Sequence, residues 1–288
     1  MRLLQGLALS ACLISQLTAC GGATCPVRTF PSVDALRSHH ERLRAWAHNI
    51  RAEARVDRRD GDGRVRGTVL MLVERPDHVR FDAMTQFGPA AVLTSDGTSF
   101  ALTDLRENRF FAGPTCAENI ALLLGIPLEA QAIGGVLFGE APRIEGRADS
   151  PLGDEAPLSC QSGQYVVRLR GVDGTREELR YDVLETSAGG DVSGQLTRIR
   201  EGLLYDASDA LVWRIRWDDY RFVEDPTDTE TPHRGIAMAH RIQIELPAQN
   251  VDTLVRFERI ELNAPIPADA FTQTVRPGLS VEPVECGR

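Results

Sequence analysis

Arg51-Ala52-Glu53-Ala54-Arg55-Val56-Asp57 is the stretch that decides the fold. Apolar residues at 52, 54 and 56 alternate with charged ones at 51, 53, 55 and 57. A period of two belongs to a β-strand with one dry and one wet face, not to a helix. Asp60-Gly61-Asp62-Gly63 turns the chain and Val65 to Val73 returns, which makes a hairpin. Outward from it the same signal recurs at 78–84, 90–95, 98–104 after Asp96-Gly97, and 108–111. It resumes at 164–171, at 175–184 after Asp173-Gly174, and at 196–204, 211–223, 237–246 and 253–262. About eleven or twelve antiparallel strands are expected, in one curved sheet with arginines on its wet face. The stretch 224–235, acidic and broken by Pro226 and Pro232, reads as a mobile loop.

Three helices complete an α+β pattern. Ser32 after Pro31 is an N-cap, and Val33, Leu36, His40, Leu43, Ala47 and Ile50, with Trp46 beside them, form one apolar stripe. In the middle of the sheet, Thr115-Cys116-Ala117-Glu118 reads as a capping box for a helix that ends at Gly125. Pro127 suits the first turn of another helix running to about Phe138. Leu122, Leu123, Leu124, Leu128, Ile133, Val136, Leu137 and Phe138 make this pair strongly apolar. Such helices need a dry surface to cover, and the concave face of the sheet provides one.

The first 19 residues read as a leader that is cut away. Arg2 starts it, an apolar run from Leu3 to Leu17 follows, and Leu17-Thr18-Ala19-Cys20 is a lipoprotein cleavage box. Cys20 is the expected lipidation site, because the apolar run is too short and too polar to span a bilayer of about 20 residues' thickness. Residues 20–31 then form an acylated tether and residues 32–288 a single domain. By resemblance to the sorting rules of Gram-negative lipoproteins, Gly21 after the cysteine directs the protein to the outer membrane, with its domain facing the periplasm.

The chain is 42% hydrophobic and 25% charged, as a globular protein is, and all 32 basic residues are arginine. A formal charge of −9 argues against nucleic acid as a partner. With Cys12 removed and Cys20 acylated, Cys25, Cys116, Cys160 and Cys286 remain, an even number in an exported chain, which suggests two disulfides. Four cysteines allow three connectivities; Cys116 with Cys160 and Cys25 with Cys286 are favoured, the latter tying the termini together.

Motifs for catalysis or metal binding do not emerge. The sequence contains no GxSxG elbow, P-loop or HExxH, so neither an enzyme nor a cofactor is expected. His39, His40, His48, His78, His233 and His240 lack ligand spacing, and His39-His40 reads as a solvated pair at a helix edge. Asp60-Gly61-Asp62-Gly63 lacks the glutamate that closes a calcium loop, so a hairpin turn explains it better and no metal is expected.

A helix, a long antiparallel meander and an apolar helical insert in mid-sheet together resemble the LolA/LolB superfamily of periplasmic lipoprotein carriers. Gly125-Ile126-Pro127-Leu128 with Gly139-Glu140-Ala141-Pro142 looks like the corresponding segment of its outer-membrane receptor branch, LolB. Phe87-Gly88-Pro89 sits where that branch carries a protruding apolar loop. Arg216-Trp217-Asp218-Asp219-Tyr220 and Ile244-Glu245-Leu246-Pro247 are similar to its late strands. Leu262-Asn263-Ala264-Pro265-Ile266-Pro267 with Phe271 resembles the closing segment of LolA-like proteins. The likeness covers roughly residues 32–275. The chain is longer than is usual there, and disulfides are not a family requirement.

The resemblance implies an unclosed barrel with a helical lid and a hydrophobic cavity for the acyl chains of a lipoprotein or lipid client. A monomer that receives its client from a LolA-like carrier and transfers it to the outer membrane is the expected function. On physical grounds, holding an acyl chain out of water is worth about 0.8 kcal/mol per CH2. Val69, Met71, Val73, Phe81, Leu93, Phe100, Leu122, Leu137, Trp213, Ile215 and Trp217 are the residues expected to line such a cavity. Phe87 is the expected membrane-insertion residue. A second class of function is a partner-binding envelope sensor or structural lipoprotein on the same scaffold, resembling regulators of the RseB type. An open cavity favours the first; a filled one with an exposed apolar patch favours the second.

Overall fold

The computed structural model describes residues 24–144, 147–148, 157–185, 191–229 and 234–287. The leader and Cys20 lie outside these residues, as does the 230–233 part of the loop expected to be mobile. Helix α1 (Val33–Arg42) leads into β1 (Asn49–Asp60), β2 (Gly63–Glu74), β3 (His78–Thr85), β4 (Gly88–Asp96), β5 (Ser99–Asp104) and β6 (Arg109–Pro114). After α2 (Ala117–Leu124) and α3 (Ala130–Phe138) come β7 (Arg147–Ala148), β8 (Leu158–Gln161), β9 (Gln164–Gly171) and β10 (Arg176–Glu185). The chain then adds β11 (Gln195–Tyr205), β12 (Leu211–Glu224), β13 (Gly235–Leu246), β14 (Val251–Leu262) and β15 (Ser280–Pro283).

Among the described residues all fifteen strands belong to one sheet, ordered β15-β6-β5-β4-β3-β2-β1-β14-β13-β12-β11-β10-β9-β7, with β8 also on β9. β15 and β7 stand at opposite ends of this order, so the curved sheet is not closed. Pairing of β1 with β14 joins the two halves of the chain, and among the described residues only β15 on β6 is parallel. Bulges at Glu53/Ala54, Ala83/Met84, Arg180/Tyr181 and Leu204/Tyr205 add the bending that curls the sheet around its helices.

The sheet exceeds the expected eleven or twelve strands by β7, β8 and β15. These are two to four residues long, too short for alternation to show. α1 also ends sooner than its apolar stripe suggests. Ile50 suits either a helix face or a strand, and its pairing with Leu262 and Val73 draws it into β1. The expected capping box is replaced by another arrangement: Cys116 is the N-cap of α2 without a side-chain bond. Thr115 instead meets the Ser95 hydroxyl at 2.8 Å. α3 begins at Ala130 rather than at Pro127.

Two disulfides are formed, Cys25–Cys160 and Cys116–Cys286. This corrects the favoured pairing, and the reason is topological. β15 lies against β6, whose end leads directly into Cys116, so Cys286 arrives beside the base of α2 rather than beside Cys25. The segment that carries it there covers the outer side of β3 to β5: Gln273 Nε2 donates to Val92 O and Ala101 O, its Oε1 accepts from the Thr103 hydroxyl, and the Phe271 ring lies 5.2 Å from that of His78. Val92, Thr94 and Thr103 are thereby buried on what would otherwise be a wet face.

Candidate functional site

Along one row of the inner face, Phe111, Leu102, Leu93, Phe81, Met71 and Ala52 stand opposite one another from β6 to β1. Trp213, Ile215 and Trp217 of β12 continue the dry face in the other half. α3 lies across this surface. Trp217 Nε1 donates to Val136 O of the helix at 2.9 Å, and a Cβ on Gly134 would sit 3.2 Å from Val73 Cγ1. Glycine at 134 thus lets the helix approach β2 closely.

The helix fills the hollow. Met71, Val73, Phe81, Leu93, Phe100, Leu137, Trp213, Ile215 and Trp217 are all buried in one cluster with Val136 and Phe138. Residues expected to line a cavity there pack against one another. Val69 is half-buried, and Leu122 is half exposed.

α1 and α3 close one end of the hollow with polar groups. His39 and His40, expected to be solvated, are 5% and 2% exposed. His39 Nε2 bonds to Gln195 O at 2.7 Å. His40 Nδ1 meets both Thr197 Oγ1 and the Arg44 guanidinium, while its Nε2 meets Gly139 O beyond the end of α3. Because Arg44 is only a donor, Nδ1 must accept, so Nε2 carries the proton and donates to Gly139. Arg37 reaches the buried Glu177 at 2.9 Å, and Arg75 clasps Glu140 at 2.7 Å. Sequence periodicity placed the two histidines on one helix but had no means of showing that β11 would cover them.

Burial, and then the nearby Arg44 cation, hold the His40 pKa well below its ordinary 6.5. An unfolded chain therefore takes up a proton at this position that the folded chain refuses, so stability falls as pH drops below about 6.5. Urea unfolding at pH 7.5 and 5.5 should show wild type losing about 1 kcal/mol more than His40→Gln over this interval. Equal losses would show that His40 is not the group responsible.

At the opposite end, around the turn between α2 and α3, the apolar surface stays unsealed. Leu122 is 50% exposed, and Leu123, Leu124 and Leu128 are half-buried. Facing them on the tip of the β1–β2 hairpin are half-buried Val56 and Val69 and the exposed Val65. Gly67, opposite Val56, adds no side chain, and a Cβ there would meet only Met84 O at 3.8 Å. Arg58 holds the lid to this rim. Its Nη1 donates to Leu123 O at 3.4 Å, its Nη2 is 2.7 Å from Asp60, and a Cβ on Gly125 would overlap the guanidinium. A cation at the carbonyl end of α2 also suits the helix dipole.

Phe87 stands on the next hairpin tip, 91% exposed, beside the end of β2. Asp60-Gly61-Asp62-Gly63 forms the tight turn between β1 and β2, with Asp62 N donating to Asp60 Oδ1. Among the described residues no group of three or more His, Cys, Asp and Glu is placed to hold a metal ion, and no helix is long and apolar enough to cross a membrane.

No protein-family model matches the chain, and no match to a curated protein is found. Solved structures do match. A LolA superfamily protein from Nitrosomonas europaea aligns over 83% of this chain and 97% of its own, with TM-score 0.51 and 10% identity. A DUF1329 family protein from Desulfovibrio piger aligns over 86% and 98%, with TM-score 0.53 and 10% identity. With its unclosed antiparallel sheet wrapped around α1 and the α2–α3 lid, the chain has the fold of the LolA superfamily.

Proposed function

We propose that this protein is an outer-membrane lipoprotein, anchored through Cys20, whose 32–288 domain receives the acyl chains of a lipoprotein or lipid and passes them to the membrane. The observation that carries this reading is the unsealed apolar rim of Leu122, Leu123, Leu124 and Leu128 against Val56, Val65 and Val69. On a LolA-type scaffold this rim is where an acyl chain would start to replace helix contacts as the lid lifts. Because the hollow behind it is filled, a client must displace α2 and α3 rather than enter a standing cavity. Arg58 is the latch that such a displacement must release. A LolA-like carrier is the proposed donor, and Phe87 the residue that enters the bilayer at delivery.

Protein purified without detergent is expected to yield acyl species on extraction and to take up a fluorescent fatty acid. Leu123→Asp should weaken that uptake about ten- to a hundredfold by placing a carboxylate at the rim. Phe87→Glu should leave uptake intact and abolish delivery to vesicles. An empty protein that refuses the fatty acid would overturn the carrier reading. The filled hollow favours one second reading, a partner-binding envelope lipoprotein, and such a protein would bind no acyl probe while keeping the same fold.

A further inference from the structure

On the outer face of the sheet, Arg55, Arg256 and Arg241 stand directly opposite one another on β1, β14 and β13. Directly opposed residues on one face lie about 5 Å apart, and like charges there destabilise a sheet. Toward the hairpin tip the cluster continues with Arg64 and Arg66 of β2. Counter-charges are too few. Asp57 is shared by Arg64 and Arg66, and Glu258 serves Arg55. Among the described residues Arg256 and Arg241 have neither an ion pair nor a side-chain hydrogen bond. Asp218 stands opposite Arg241 on β12 but is ion-paired with Arg200, so five guanidiniums against three carboxylates, one of them shared elsewhere, leave a local positive excess on a chain whose formal charge is −9.

Arg55, Arg64, Arg66 and Arg256, with Asp57 and Thr68, surround an open depression of about 540 Å³. Planar guanidinium forks on such a floor match the oxygens of a phosphate. The surroundings indicate which phosphate. Phe87, on the neighbouring hairpin tip, is 91% exposed. A bare aromatic tip beside a floor of arginines suits a bilayer interface, where the ring enters the acyl layer and the cations stay with the headgroups. An acidic soluble partner has no use for that tip.

We propose that this face docks on an anionic phospholipid surface, headgroup phosphates occupying the arginine depression while Phe87 enters the bilayer. The idea extends the delivery role given above to Phe87 and adds the lipid class that delivery requires. Anchoring through Cys20 puts the domain near a membrane; the arginine face decides which side of it turns toward the lipid.

The test uses the full chain with Cys20→Ala, so that acylation does not hold it to every vesicle, and compares phosphatidylcholine vesicles with vesicles containing one-third phosphatidylglycerol. Any contribution from residues 1–19 is common to all variants. Wild type is expected to sediment preferentially with the anionic vesicles. Arg64→Gln, Arg66→Gln and Arg256→Gln combined should remove that preference, about fivefold per arginine. Equal binding of wild type and the triple variant to anionic vesicles would overturn the proposal. So would release of the protein by millimolar inorganic phosphate, which would identify a free-anion site instead. Fatty-acid uptake by the triple variant separates the two ideas: with uptake intact and vesicle preference lost, both stand. If wild type takes up no fatty acid yet keeps its arginine-dependent preference, the carrier reading fails alone.

Discussion

Replacing Trp217 by alanine is expected to destabilise the protein by about 3–5 kcal/mol and to open a cavity beneath α3. The indole has no exposed surface and sits at the centre of the inner face. Its Nε1 also donates to Val136 O, a carbonyl of the packed helix–sheet interface that accepts a second hydrogen bond from Gly139 N. Alanine removes both the ring volume and the donor, and α3 cannot follow the vacated space without separating from Val73 on β2. Denaturant unfolding gives the first number. The variant, if folded, should also bind small apolar probes that wild type excludes, because a dry cavity lined by hydrocarbon accepts them. A loss below about 1 kcal/mol would mean that the helix already rests loosely on the sheet, and that the hollow opens far more readily than its packing implies.

The second large effect concerns Cys116–Cys286. Replacing both by serine should cost about 2–5 kcal/mol, since the bond closes a sequence separation of 170 residues and so restricts the unfolded chain strongly. The loss has a particular location. Cys286 ends the segment that covers Val92, Thr94 and Thr103 and supplies β15, a four-residue strand at the edge of the sheet. Without its anchor that segment should exchange amide hydrogens faster through β15 and β6, while β1 and β14 keep their protection. Replacing Cys25 and Cys160, which join the N-terminal segment to β8, should leave β15 protected. Protection lost equally across the sheet in the Cys116 and Cys286 variant would show that the bond stabilises the whole fold and not this edge.

How much of the site was legible in the sequence differed from element to element. The rim leucines were visible as an apolar helix with nothing beside it in sequence to cover, and Gly125 as the end of that helix. Arg58 was not. Within β1 it falls on the inner side by alternation, where an arginine looks out of place. Only the approach of the α2 carbonyls gives it partners. His40 shows the reverse. Its place on the apolar stripe of α1 was readable, but its burial depended on Thr197 and Gly139, about 157 and 99 residues away in sequence.

The arginine row of Arg55, Arg256 and Arg241 was equally hidden, since each lies in an ordinary alternating strand and the juxtaposition exists only once β1, β14 and β13 pair in register. The sequence by itself determined what repeats locally: strands with one wet and one dry face, hairpin turns at Asp-Gly pairs, and an apolar helical insert in mid-sheet. Those follow from a periodicity of two or of 3.6 and from turn residues, which act over a few neighbours. Tertiary structure alone decided which cysteines pair, whether the hollow is open or filled, and which charges face one another. Each of these depends on strand order and register between segments remote in sequence, and no local preference encodes that.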